Sequence, residues 1–186
     1  MQNYYPQATT NFAVARLEMF RFIHDKKQAE INSLIDNLAK HNVTFSTTIH
    51  LLAEQFGLTY FSDKNDTSLT KEQILRCREN FKIFIGYANQ LFDKGIKLRI
   101  GTDCANGGKA VISEQLLLAE NGFSIPAVLQ ISTINGAIAL GFDNKYGSVE
   151  NGKNADLLIW DKSPFDNYKN FLANKTIIKD GVVFKN

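Results

Sequence analysis

Through the first forty positions, apolar residues recur at helical spacing. Phe12, Ala13, Leu17, Phe20 and Ile23 share one face of a helix that Thr10 is placed to cap, and Ile31, Leu34, Ile35 and Leu38 repeat at i, i+3, i+4 and i+7 in a second that Asn42 closes. The run VTFSTTI, Val43 to Ile49, is short and β-branched and predicts a buried strand, with LLAEQF after it reading as helix. GLTYFSDKNDTS, Gly57 to Ser68, is turn-rich and without period, and predicts a loop. Thr70 and Gln73 form a capping box, and Ile74, Cys77, Phe81, Ile85, Ala88 and Phe92 mark one face of a long helix stopping at Lys94-Gly95. A second strand, GIKLRI, ends in Gly101-Thr102-Asp103. CANGGK is a loop, a helix runs from about Ala110 to Glu120, and Ser124 (with Pro126 behind it) and Thr133 are placed to cap two shorter helices. From Gly147 the texture changes to short strands, ADLLIW at 155–160, TIIK at 176–179 and VVF at 182–184, the last two joined by the hairpin signal Asp180-Gly181. Helix alternating with strand, then strands alone, predicts an α/β domain followed by a small β-rich module.

Composition narrows the function classes. The 186 residues are 44% hydrophobic, enough for a sizeable core, whereas a complete eight-unit α/β barrel takes roughly 250. Twenty-one basic against nineteen acidic residues leave a net charge of +2 without a basic patch, which argues against a nucleic-acid partner. The N-terminal MQNYYPQATTNF lacks the basic and apolar regions of an export signal, and no apolar run approaches the roughly 18 residues of a membrane span. Neither membrane association nor export is expected. A cytoplasmic location follows, and Cys77 and Cys104, the two cysteines, suit its reducing conditions better than a disulfide. The N-x-Thr triplets at Asn42, Asn65 and Asn174 are then chance matches.

Asp103 is the leading candidate for chemistry. Parallel α/β folds keep their active residues at the carboxyl edge of the strands, and a carboxylate there serves as a metal ligand and proton acceptor or simply caps the following loop. His24 and His41 fall at predicted helix ends, where histidine is ordinarily a surface or capping residue. His50 follows the first strand and so lies near the same edge as Asp103. Cys104 has a carboxylate beside it rather than the base and electropositive setting that a nucleophilic thiol needs, and reads as a small loop residue. Gly147-SVEN-Gly152-Lys153 superficially fits a phosphate loop, but Asn154 stands where Ser or Thr is needed and a strand follows instead of a helix, so its glycines read as turn residues.

GIKLRIGTD, Gly95 to Asp103, followed at this distance by GSVENGKNADLLIWD, Gly147 to Asp161, resembles the C-terminal part of the amidohydrolase superfamily, close to its imidazolonepropionase-like branch. The resemblance runs from about Val43 to Val183 and is specific in its last ninety residues. It implies a partial (β/α)8 barrel, the last two or three βα units and trailing helices, over 1–145, and over 146–186 a small β-sandwich-type module incomplete without N-terminal strands. It implies that Asp103 is metal ligand and proton shuttle for zinc or a similar divalent ion, in hydrolysis of a C–N bond, amide or cyclic amide, of a small-molecule substrate. Such an enzyme also needs a His-x-His pair from an earlier strand, which none of the three histidines supplies. A complementing N-terminal chain or a homo-oligomer is then expected, and little activity from this chain alone. The alternatives are an inactive remnant and a binding module.

Overall fold

Helical spacing in the first forty residues yields two helices, α1 (Phe12–Lys26) and α2 (Gln28–Ala39), in a computed structural model that describes residues 12–61 and 69–184. The Thr10 cap and most of the predicted 57–68 loop fall outside the described residues. A short strand, β1 (Thr44–Ser46), leads into α3 (Ile49–Glu54), and the long helix α4 (Lys71–Asp93) precedes β2 (Lys97–Arg99). Helices α5 (Gly107–Glu120), α6 (Ile125–Ser132) and α7 (Ile134–Leu140) follow, and then strands β3 (Leu157–Trp160), β4 (Lys175–Lys179) and β5 (Val182–Phe184), with a 3₁₀ turn at Tyr168–Leu172.

The chain divides into two compact units, one drawn from 1–43 and 51–96, the other from 44–50 and 97–186. In the first, α1 packs on α4. Leu17, Phe81 and Ile85 are fully buried, and Ile35, Tyr87 and Ile96 form a cluster against Phe20, Ile23, Ile31 and Leu38. Each such side chain contributes roughly 1.5–3 kcal/mol by leaving water. Leu34 keeps the period of α2 yet is exposed. The capping box forms as predicted, Thr70 Oγ1 accepting from Gln73 N and Gln73 Oε1 from Thr70 N. A polar seam joins α1 to α4: the Arg76 guanidinium bonds Glu18, Asn80 Nδ2 donates to Glu18 Oε1 at 2.9 Å, and Arg21 Nε donates to Asn80 Oδ1 at 2.8 Å.

In the second unit β1 and β2 pair in parallel, with Thr44, Phe45 and Ser46 opposite Lys97, Leu98 and Arg99. Leu98 is buried, and its carbonyl accepts a hydrogen bond from the buried Asn135 side chain of α7 at 2.8 Å. Helix α5 buries Ala110 and Leu116 to Leu118, and packs against the 3₁₀ turn, where Phe171 is fully covered and meets Trp160 edge-on at 6.2 Å. Ser124 caps α6 as expected, accepting from Ala127 N. Thr133 does not cap α7. Its hydroxyl instead donates to Leu129 O at 2.7 Å, because Thr133 ends the preceding helix one turn beyond that carbonyl.

Strands β3, β4 and β5 form an antiparallel sheet in that order. Asp180 and Gly181, at φ 48° and 79°, make the predicted tight turn between β4 and β5. The Ala155-Asp156 pair is tied to that turn. Ala155 O accepts from Gly181 N at 3.1 Å, Asp156 Oδ1 from Asp180 N at 2.8 Å and Asp156 Oδ2 from Lys179 Nζ at 2.8 Å. Asp180 N and the Lys179 ammonium together hold the Asp156 carboxyl below its usual range. Gly147, at φ 93°, is needed for space as well as turn geometry, since a Cβ there meets Ile134 Cα at 2.9 Å and Ala137 Cβ at 2.8 Å.

The predicted strand Val43–Ile49 is thus corrected to Thr44–Ser46, with Ile49 opening a helix. The cause is long-range. Thr48 turns into the left-handed region at φ 74°, and the backbone N–H groups of Ile49 and His50 bond a carboxylate on α5 rather than a neighbouring strand.

Candidate functional site

The carboxyl ends of β1 and β2 lie side by side, and the pairing continues past the strands. Thr47 N donates to Arg99 O at 2.9 Å and Thr48 N to Gly101 O at 3.1 Å, while Gly101 N donates to Thr47 Oγ1 at 3.4 Å. Gly101 has no room for a side chain: a Cβ would overlap the Ser46 hydroxyl and touch Thr48 Cγ2 at 3.4 Å. Two residues later, exposed and at φ 48°, comes Asp103. Three non-glycine residues have positive φ among the described residues, and two of them, Thr48 and Asp103, are at these adjoining strand ends. For a β-branched residue such as Thr48 this is a costly conformation, of the kind that persists where surrounding contacts over-determine it.

Over-determination comes from Glu114. This α5 residue is fully buried, its Oε1 accepting from His50 N at 2.5 Å and its Oε2 from Thr47 Oγ1 at 2.5 Å, with Ile49 N as a further donor. Burial raises its carboxyl to about 7, against the pull of those three donors. Sequence reasoning missed Glu114. The signal was present: it stands four residues after Ala110 and three before Leu117, an acid on a helix face that is otherwise apolar.

Of the residues singled out by sequence, Asp103 and His50 belong to the same unit, at the ends of β2 and β1, and Cys104 is half-buried beside Asp103 with a free thiol. His50 is buried in the first turn of α3, its backbone held by Glu114. His24, in the last turn of α1, is exposed and packs edge-on against Tyr87 at 6.3 Å, and His41 lies just beyond α2, exposed. Cys77 is buried in α4, its thiol pushed up to about 11 by burial and then by the Glu18 charge, so it is inert as a nucleophile. Lys153 of the glycine-flanked loop is engaged locally, donating to Ser148 Oγ at 2.5 Å and pairing with Glu150 at 3.4 Å, and β3 follows it. An apolar groove of about 680 Å³, lined by Leu129, Ala137, Leu140, Phe142, Val149 and Trp160 among others, does not include Asp103.

With this geometry in view, the profile of the Amidohydrolase family matches residues 17–183. The chain belongs to the amidohydrolase family. It is 34% identical over 113 residues to the 5-methylthioadenosine/S-adenosylhomocysteine deaminase of Thermoanaerobacter pseudethanolicus (strain ATCC 33223 / 39E), covering 52% of this chain and 26% of that protein. It is 32% identical over 101 residues to the imidazolonepropionase of Brevibacillus brevis (strain 47 / JCM 6285 / NBRC 100599), covering 50% of this chain and 24% of the relative. In structure it is similar to a Xaa-Pro dipeptidase solved with bound methionine, with a TM-score of 0.61 and 23% identity over 82% of this chain and 37% of that one, a likeness of fold. The matched part spans about a quarter of the curated relatives' length.

Amidohydrolases generally use divalent metals. The donor set here does not by itself make such a site: Asp103 is one exposed carboxylate, and among the described residues no three of His, Cys, Asp and Glu converge as metal ligands. A catalytic zinc takes three protein ligands.

Proposed function

We propose that the chain supplies the end of the barrel and the trailing β module of a metal-dependent hydrolase acting on the C–N bond of a small-molecule amide or cyclic amide. In this reading 1–145 carries the last βα units, 146–186 the module, and Asp103 is both a metal ligand and the proton shuttle, the remaining ligands coming from outside the described residues. The observation that carries it is the position of Asp103, beyond the carboxyl edge of β2 beside the end of the parallel strand β1. As shuttle, the Asp103 carboxylate takes a proton from the attacking water and returns it to the departing nitrogen. Zinc or a similar divalent ion is the expected cofactor of the assembled enzyme.

The test is Asp103→Asn in the complete enzyme, with the upstream barrel strands supplied on the same or a second polypeptide. Turnover should be abolished while substrate binding is largely kept, and a variant retaining a tenth of wild-type kcat removes Asp103 from the mechanism. A second reading, an inactive remnant or binding module, is favoured by the single carboxylate at the site. It predicts the same substrate binding without turnover in the wild-type assembly.

A further inference from the structure

We infer that Glu114 is a positioning residue for Asp103, fixing the β2-end loop by holding the Thr47–Thr48 turn onto which Gly101 is bonded. The inference rests on the reading of Asp103 as the working carboxylate. Gly101 is gripped through both of its peptide groups, its N–H by Thr47 Oγ1 and its C=O by Thr48 N–H. Thr47 is in turn fixed through its hydroxyl by Glu114 Oε2, and the residues that follow through Ile49 and His50 N–H on the same carboxylate. Helix α5, which carries Glu114, begins at Gly107, four residues after Asp103. The segment 102–106 is therefore anchored at both ends on one buried side chain: through Thr47 at the β2 side, and through the helix itself at the other.

The chemistry calls for a carboxylate. Three donors converge on the side chain, and above about pH 7 the ionised carboxylate has two oxygens and about four lone-pair sites to receive them. Glutamine has the same shape but one acceptor oxygen; with that oxygen on the His50 and Ile49 N–H groups, its amide faces Thr47, whose hydroxyl must turn round to accept, so the bond that fixes Thr47 is reversed and between neutral groups. Capping a six-residue helix is a poor account of a fully buried acid from an element 64 residues away, since a local Ser or Asp does that at far lower desolvation cost. What the local residue does not do is tie β1, β2 and α5 together at the edge where Asp103 stands.

Hydrogen exchange of the full chain, read by peptide, tests this without any need for activity. At pH 8, where the wild-type carboxyl is ionised, peptides covering 47–51 and 99–106 should exchange about tenfold faster or more in Glu114→Gln, as expected for exchanging bonds to a charged group for bonds to a neutral one, while α6 and the β3–β5 sheet keep wild-type rates. Thr47→Val should give the same local acceleration, and the double variant no more than either single one. Uniform acceleration in every peptide, or unchanged exchange at 99–106 in both single variants, overturns the inference. Zinc titration by calorimetry runs beside it: heat that Asp103→Asn removes, with affinity weakened in Glu114→Gln, supports both readings. Absence of any Asp103-dependent heat counts against the metal reading, and the exchange result still decides Glu114.

Discussion

Replacing Glu114 by glutamine should remove a defined pH dependence from the stability of the second unit. The Glu114 carboxyl, ordinarily at 4.5, is raised to about 7, first by burial, with the bonds from Thr47, His50 and Ile49 opposing. Between those two values the folded protein keeps a proton that the unfolded chain has released. The unfolded state therefore binds fewer protons, and stability falls as pH rises through the window. At 1.36 kcal/mol per pH unit this one group should cost about 3 kcal/mol between roughly pH 4.5 and pH 7, its contribution being fully present below 4.5 and lost as pH passes 7. Trp160, the single tryptophan, lies in the second unit and gives a fluorescence probe of its unfolding in urea. Carboxylates elsewhere titrate alike in wild type and Glu114→Gln, so the difference between their stabilities isolates Glu114. That difference should shift by about 3 kcal/mol against the wild type from acid to neutral pH. A difference flat to within about 0.5 kcal/mol across the window would refute the reasoning, since it would mean that the three donors offset the cost of burial in full.

Gly101→Ala places a methyl on the Ser46 hydroxyl, and should lower the stability of the second unit by roughly 1–3 kcal/mol in a thermal melt, with Ser46→Gly restoring part of it. Glu18→Gln loosens the α1–α4 seam. The Arg76 guanidinium holds the Glu18 carboxyl below its usual range, so the wild-type advantage is present above about 4.5 and lost as pH falls, and solvent screening limits it to about 0.5–1 kcal/mol in urea titrations above and below that pH. The sheet β3–β5 exposes Leu158, Ile159, Val182, Val183 and Phe184, and the isolated chain should either self-associate in sedimentation or bind a hydrophobic dye as a monomer. A monodisperse, dye-silent monomer with a cooperative melt would show that this surface needs no cover.

Local chemistry was legible in the sequence wherever the partners are close in the chain. The Thr70–Gln73 capping box, the Ser124 cap and the Asp180-Gly181 turn each close within a few residues, and each forms as read. Two motifs far apart, GTD and GSVENGKNADLLIWD, sufficed for the family. The end of β1 was not legible, because what stops it is a carboxylate on α5. Thr133 was misread for the reverse reason: its hydroxyl has two local options, accepting from an N–H of the helix that follows or donating to Leu129 O of the helix before, and the spacing alone does not choose between them. Leu34 shows the limit of period, which marks a face without saying whether anything covers it.

The parallel pairing of β1 with β2 also sets an order of events during synthesis. β1 is made first, but its partner is separated from it by residues 47–96, and Glu114, which stabilises the turn after β1, comes later still. The first unit is drawn from residues up to Ile96, so its helices have all their partners before β2 leaves the ribosome. Until α5 emerges, Thr48 lacks the contacts that hold its left-handed backbone. The residue that ends β1 at Ser46 is thus made almost seventy positions after the strand it ends, so the turn at Thr47–Thr48 closes only once α5 is available.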